Sequence, residues 1–182
     1  MKILVISDTH GKLNKVRDIW TKLTDVDLIA HAGDFGHDGK ALEDEFHVPV
    51  VAVRGNCDGG GRSDYEIIRT EYGNILLTHG HAFGVDYDLD RLRYFTLENG
   101  CCAAIYGHTH RASVIEDDGI YFVNPGSLTL PKDNSGGSYA IIRTSEDRLD
   151  ASVVYYDTVF GGNKKSGGSG FIKSILNYSD RL

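Results

Sequence analysis

The feature that most constrains this fold is where its Asp, Asn and His residues fall: each group closes an apolar, β-branched run. The run 3–6 ends in Ser7-Asp8-Thr9-His10, and 28–30 ends in His31-Ala32-Gly33-Asp34. The run 50–53 ends in Gly55-Asn56, 75–77 in His79-Gly80-His81, and 103–106 in Gly107-His108-Thr109-His110. Short apolar runs of this kind read as buried strands. Strand ends gathered at one edge of a sheet are where open α/β folds build their sites. Asp8, His10, Asp34, Asn56, His79, His108 and His110 offer more ligands than one metal takes, so the pattern predicts two divalent cations.

The segments between the runs set the fold class. Leu13, Val16, Ile19, Trp20 and Leu23 repeat at helical spacing, and a second helix is predicted around 41–46. The opening order is strand, helix, strand, helix, strand, which implies parallel strands with right-handed crossovers. The order then changes. Ile67-Ile68 and 75–77 flank a turn at Tyr72-Gly73-Asn74, and a helix over 89–97 puts Leu92 and Phe95 inward. Runs 114–115 and 120–123 flank Asp117-Asp118-Gly119, and 139–143 with 151–156 make a last antiparallel pair. An α/β fold with one mixed sheet, or two stacked sheets with helices outside, fits this order.

At 182 residues the chain is read as one domain over 1–160. A Gly/Ser-rich linker and a short terminal helix follow over 161–182; that tail could dock back or pair with a neighbour, so a homo-oligomer is possible. The formal charge of −7, with no Lys/Arg cluster, makes nucleic acid an unlikely partner. Bound cations would still make a site locally positive, so a small anionic substrate fits. Cys57, Cys101 and Cys102 form no CxxC pair, and free thiols suit a reducing compartment. No apolar stretch approaches 18 residues, and the chain opens directly on a strand without a signal sequence, so no membrane partner is expected. The expected location is the cytoplasm.

Oxygen and imidazole ligands without thiolate suit Mn, Fe, Co, Ni or Zn. His108 and His110 alternate faces of a strand and can meet at one cluster only if the chain turns; Gly107 is read as the source of that freedom, and Gly11 as its counterpart beside Asp8 and His10. A carboxylate such as Asp34 can bridge two ions roughly 3.5–4 Å apart, and water between them loses a proton near neutral pH. Each residue has a plainer reading. Asp8 alone is a helix cap, His10 a loop residue, Asp34 and Asn56 turn formers, and His79 a polar strand end. Five such coincidences at five strand ends favour the site.

Together with Asn124-Pro125-Gly126-Ser127 and Gly55-Asn56-Cys57-Asp58, these motifs resemble the calcineurin-like metallophosphoesterase superfamily, and within it the small phosphodiesterases of the YfcE type. The resemblance runs from residue 1 to about 156. It implies a four-layer α/β/β/α sandwich of two mixed sheets. It also implies one metal on Asp8, His10, Asp34 and His110, and a second on Asp34, Asn56, His79 and His108, with Mn²⁺ foremost. The implied activity is hydrolysis of phosphodiesters, and of activated phosphomonoesters, by a metal-bridging hydroxide. Asp34, Asn56, His81 and Cys57 are the catalytic candidates.

Two departures bear on that activity. Many members of the superfamily carry His after the motif Asn, where this chain has Cys57; the proton donor then lies among His81, Cys57 and solvent. The Asp-Arg-Gly of phosphoprotein phosphatases is also absent after Gly33-Asp34. His37, like His81, is a candidate for substrate contact, whereas Arg54 is read as a carboxylate partner. Asn124-Pro125-Gly126-Ser127 is read as a turn that shapes the loop at Gly107-His108. The alternatives are a phosphomonoesterase, a nuclease (disfavoured by the acidic surface), or a non-catalytic protein-binding scaffold like the retromer subunit that resembles the same fold.

Overall fold

The computed structural model describes residues 1–35 and 37–161. The expected linker and terminal helix lie outside these residues, apart from Gly161. Strands β1 (Lys2–Ile6), β2 (Leu28–His31), β3 (Val50–Ala52), β9 (Ser138–Thr144) and β10 (Leu149–Tyr155) form one sheet, in the order β10-β9-β1-β2-β3. Strands β4 (Tyr65–Arg69), β5 (Asn74–Thr78), β6 (Cys101–Ile105), β7 (Ala112–Asp117) and β8 (Ile120–Pro125) form the other, in the order β4-β5-β6-β8-β7. Both are mixed. β1, β2, β3 and β10 run in one direction with β9 antiparallel between β10 and β1, and β5, β6 and β8 run parallel between antiparallel edges.

Alternation along the strands makes the layers. Ile3, Val5, Leu28 and Ala30 of the first sheet pack with Ile75, Leu77, Ala103 and Ile105 of the second in one cluster. Their neighbours Leu4, Ile6 and Ile29 face the other way, onto Val16 and Ile19 of α1 (Asn14–Trp20) and Leu42 of α2 (Asp38–Phe46). Leu76, Ala104 and Phe122 of the second sheet pack on Leu92 of α3 (Asp90–Glu98). The result is the α/β/β/α order. Every named side chain here is buried, and each fully buried Val, Leu, Ile or Phe contributes roughly 1.5–3 kcal/mol of apolar transfer. Among the described residues no helix is long and apolar enough to cross a membrane.

Two boundaries differ from the sequence reading. α2 begins at Asp38, not near residue 41, because Asp38 ties back to the loop after β1, where it accepts from Thr9 Oγ1 at 2.7 Å and from the Gly11 N–H at 3.1 Å. Tyr156 leaves the last strand and opens α4 (Tyr156–Phe160), in which the Tyr156 and Phe160 rings stack at 4.7 Å.

The parallel strands place the site. Asp8, Asp34 and Asn56 follow β1, β2 and β3 of one sheet, and His79 and His108 follow β5 and β6 of the other. Their carboxyl ends open at the same end of the sandwich, so residues distant in sequence converge.

Candidate metal centre

Ligand atoms of Asp8, His10, Asp34 and His110 all lie within 4.8 Å of one another. Beside them a second group forms around Asn56 Oδ1, which is 3.0 Å from His79 Nε2 and 2.9 Å from His108 Nδ1. Asp34 touches both: its Oδ2 is 3.9 Å from His10 Nε2, and its Oδ1 is 3.4 Å from His79 Nε2. All seven side chains read from the sequence as candidate ligands are therefore brought together.

The local backbone shows how. Asp8, His10, Asp34, His108 and His110 all adopt positive φ, between 49° and 68°. Left-handed backbone at a residue other than glycine costs of order 1–3 kcal/mol and persists where surrounding structure over-determines it. This corrects the expectation for Gly107: the histidines themselves make the turn. Gly107 is needed for close approach instead, since a Cβ there would overlap Ser7 Oγ and lie 2.9 Å from Asp8 Oδ2. Gly55 has the same role, because a Cβ would fall on the Asp34 carboxylate.

Hydrogen bonds assign the histidine tautomers. His79 Nδ1 must donate to the Ala32 carbonyl (2.7 Å) and His110 Nδ1 to the Leu130 carbonyl (2.7 Å). His108 Nε2 donates to Asp86 Oδ2 (2.7 Å). With those nitrogens engaged, the other nitrogen of each ring is the one left to act as a ligand, and it points inward at oxygen. His110 Nε2 faces Asp8 Oδ1 at 3.1 Å. Flipping the Asn56 amide would satisfy the lone pairs of His79 and His108, whereas Asp8 and His110 can bond to each other only when His110 Nε2 takes up a proton. Asp8 Oδ1 and His10 Nε2 are buried and make no hydrogen bond among the described residues. Converging lone pairs with their outer partners already fixed are what a cation requires. The residues present fit divalent metal.

Charge follows the same geometry. Burial pushes the Asp8 carboxyl up, but the bond from His110, the field of His79 and the Ser7 hydroxyl outweigh it and hold it below its ordinary range. The Asp8 carboxylate in turn raises His110. His81 is lowered by burial and by His79 and His108; its ring centroid lies 5.3 Å from that of His79 and 6.1 Å from that of His108. Cys57 is exposed, and its thiol is pushed up to about 11 by Asp34 beside it and by partial burial. His37 sits on the surface at the start of α2, with its ring 5.1 Å from Phe35. Arg54 pairs with Asp64 at 2.6 Å.

Several residues support the site, of which the sequence reading gave a role only to the Asn124–Ser127 turn. Asp58 accepts from the Phe35 and Gly55 N–H groups at 2.7 and 2.9 Å, tying the Asp34 loop to the Asn56 loop. The buried His31 accepts from the Gly33 N–H and donates to Thr9, which donates to Asp38. Asn124 Nδ2 donates to the Gly107 carbonyl at 2.9 Å and Ser127 Oγ to the Asp8 carbonyl at 2.9 Å, so this turn shapes both ligand loops. Asp86 carried no signal: it stands alone between Val85 and Tyr87, outside any strand-end motif.

Comparison with known proteins agrees with the geometry. The profile of the calcineurin-like phosphoesterase superfamily domain matches residues 1–147. The probable metallophosphoesterase YsnB of Bacillus subtilis is 35% identical over 161 residues, covering 86% of this chain and 91% of that protein. Phosphodiesterase YfcE of Escherichia coli is 27% identical over 167 residues, covering 78% of this chain and 87% of that protein. Vps29 of Entamoeba histolytica, solved with zinc, superposes with a TM-score of 0.69 at 21% identity, covering 86% of this chain and 99% of that one.

Proposed function

This chain belongs to the calcineurin-like phosphoesterase superfamily, and we propose that it is a two-metal phosphodiesterase that also hydrolyses activated phosphomonoesters. The observation that carries this reading is the set of inward lone pairs at Asp8, His10, His79, His108 and His110, with Asp34 between two groups. Asp8, His10, Asp34 and His110 would hold one cation, and Asp34, Asn56, His79 and His108 the other; Mn²⁺ heads the candidates, with Ni²⁺, Fe²⁺, Co²⁺ and Zn²⁺ behind it. When bound, such a pair supplies a deprotonated water as nucleophile and offsets charge on the phosphate oxygens.

The chain's own residues set what is hydrolysed. Where many relatives carry His, the exposed Cys57 holds its proton tightly, and burial with the neighbouring His79 and His108 lowers His81. The departing alcohol therefore takes its proton from solvent, and esters of acidic alcohols are favoured. The free thiols fit the cytoplasm, and the substrate is a small phosphoester.

The likeness to Vps29 supports a second reading, a protein-binding scaffold of the same fold. Here every ligand position holds a residue able to bind metal, which a scaffold does not require. A panel with added Mn²⁺ separates the two. We expect bis(4-nitrophenyl) phosphate to be cleaved about a hundredfold or more faster than a dialkyl phosphodiester, with 4-nitrophenyl phosphate cleaved more slowly and all activity lost on chelation. No hydrolysis with any divalent metal, in protein purified without bound ions, would favour the scaffold.

A further inference from the structure

A cleft of about 450 Å³ opens beside the metal centre, lined by Asp86, Tyr106, Thr109, Arg111, Ser113 and Lys132, with Val85 at its margin. It shares its wall with the site. Asp86 holds His108, Thr109 lies between His108 and His110, and the Lys132 N–H donates to the His110 carbonyl at 3.0 Å. Its floor is polar: the Tyr106 hydroxyl meets Ser113 Oγ at 3.2 Å. Its charge departs from that of the chain, which carries −7 overall. Among the described residues neither the Arg111 guanidinium nor the Lys132 ammonium makes a salt bridge or side-chain hydrogen bond, although Arg17, Lys40, Arg54, Arg93 and Arg148 all pair with carboxylates. The Asp86 carboxylate, held by the His108 N–H, offsets one of them and leaves the lining with a net positive charge.

We propose that this cleft seats the alcohol side of the phosphoester and that Arg111 and Lys132 select alcohols bearing a second negative charge, a carboxylate or a phosphate. The proposal rests on the phosphoesterase reading and narrows it to a substrate class. Cations in a cleft walled by protein attract an anion more strongly than the same groups on an open face, and they remain salt-sensitive.

The test compares methyl 4-nitrophenyl phosphate with the same ester carrying a 3-carboxylate on the leaving ring, and with its neutral 3-carboxamide. With Mn²⁺ added, KM for the carboxylate ester is expected to be about tenfold lower than for the carboxamide, and the preference to shrink at high salt. The double substitution Arg111→Ala/Lys132→Ala should bring the KM values for the carboxylate and carboxamide esters together, with an unchanged thermal midpoint showing that the fold is kept. Equal KM values for carboxylate and carboxamide, or a preference that survives the double substitution, would overturn the cleft assignment while leaving the phosphoesterase standing. Hydrolysis of none of the three would overturn the phosphoesterase reading instead. The cleft is then judged by amide NMR shifts of metal-free protein titrated with the free phenols. Shifts at Arg111, Ser113 and Lys132 for the carboxylated phenol alone support an anion site, and shifts elsewhere or none refute it.

Discussion

Asp34→Asn is expected to lower phosphodiester turnover about a thousandfold at saturating Mn²⁺, corresponding to several kcal/mol of lost transition-state stabilisation. The substitution is chosen to preserve the fold. Asp34 Oδ1 accepts from the Cys57 N–H at 2.9 Å, and the amide oxygen of Asn can accept the same bond. What is lost is the negative charge and the second oxygen, which faces His10. Asp34 has one oxygen facing each of the two groups, so a single neutral amide is expected to weaken both. Turnover and thermal midpoint measured together distinguish this from misfolding. A stable variant of normal activity would remove Asp34 from the mechanism.

The metal-free protein should lose about 3 kcal/mol of stability to His31 alone as pH falls from 6.5 to about 4. Burial pushes the His31 imidazole down from its ordinary 6.5 to about 4, against the opposing pull of Asp38 and Asp8. Above pH 6.5 folded and unfolded chains both keep it neutral, and the group contributes no slope. Between the two values the unfolded chain binds a proton that the folded chain refuses, so unfolding is favoured. Each tenfold difference in proton affinity is 1.36 kcal/mol, which gives the total. His110 acts in the opposite window: it is raised by Asp8, so its contribution is complete at low pH and fades as pH climbs above 6.5 through its folded value. Urea midpoints in chelator, followed from pH 7 to pH 4, test this against His31→Gln. Gln keeps a donor toward Thr9 and cannot titrate. The variant should lose that part of the slope, and an unchanged slope would refute the assignment.

Much of this was legible because strand and site coincide in the sequence. Each apolar run ends at its ligand, so the same residues that announce a buried strand also state where the chemistry gathers. All seven side chains expected as ligands meet in the structure. What was hidden lies in contacts between distant segments. Asp86 reaches His108 across 22 residues and Ser127 reaches Asp8 across 119. No local pattern marks Asp86, since a lone Asp in a loop looks the same whether or not it holds a ligand, and Ser127 was read as part of a turn beside Gly107 without its reach to Asp8. The Gly107 reading failed for a related reason. Glycine was taken as the source of conformational freedom, yet its missing Cβ makes room for Ser7 and Asp8, while the histidines bear the strained angles. Packing sets those angles, and spacing alone does not reveal it.

The central claim is that two cations sit in this cluster, and anomalous scattering from crystals grown with Mn²⁺ tests it most directly. Two peaks are expected, one among Asp8, His10, Asp34 and His110 and one among Asp34, Asn56, His79 and His108. Density at neither place, or a single ion bound elsewhere on the surface, would contradict the account.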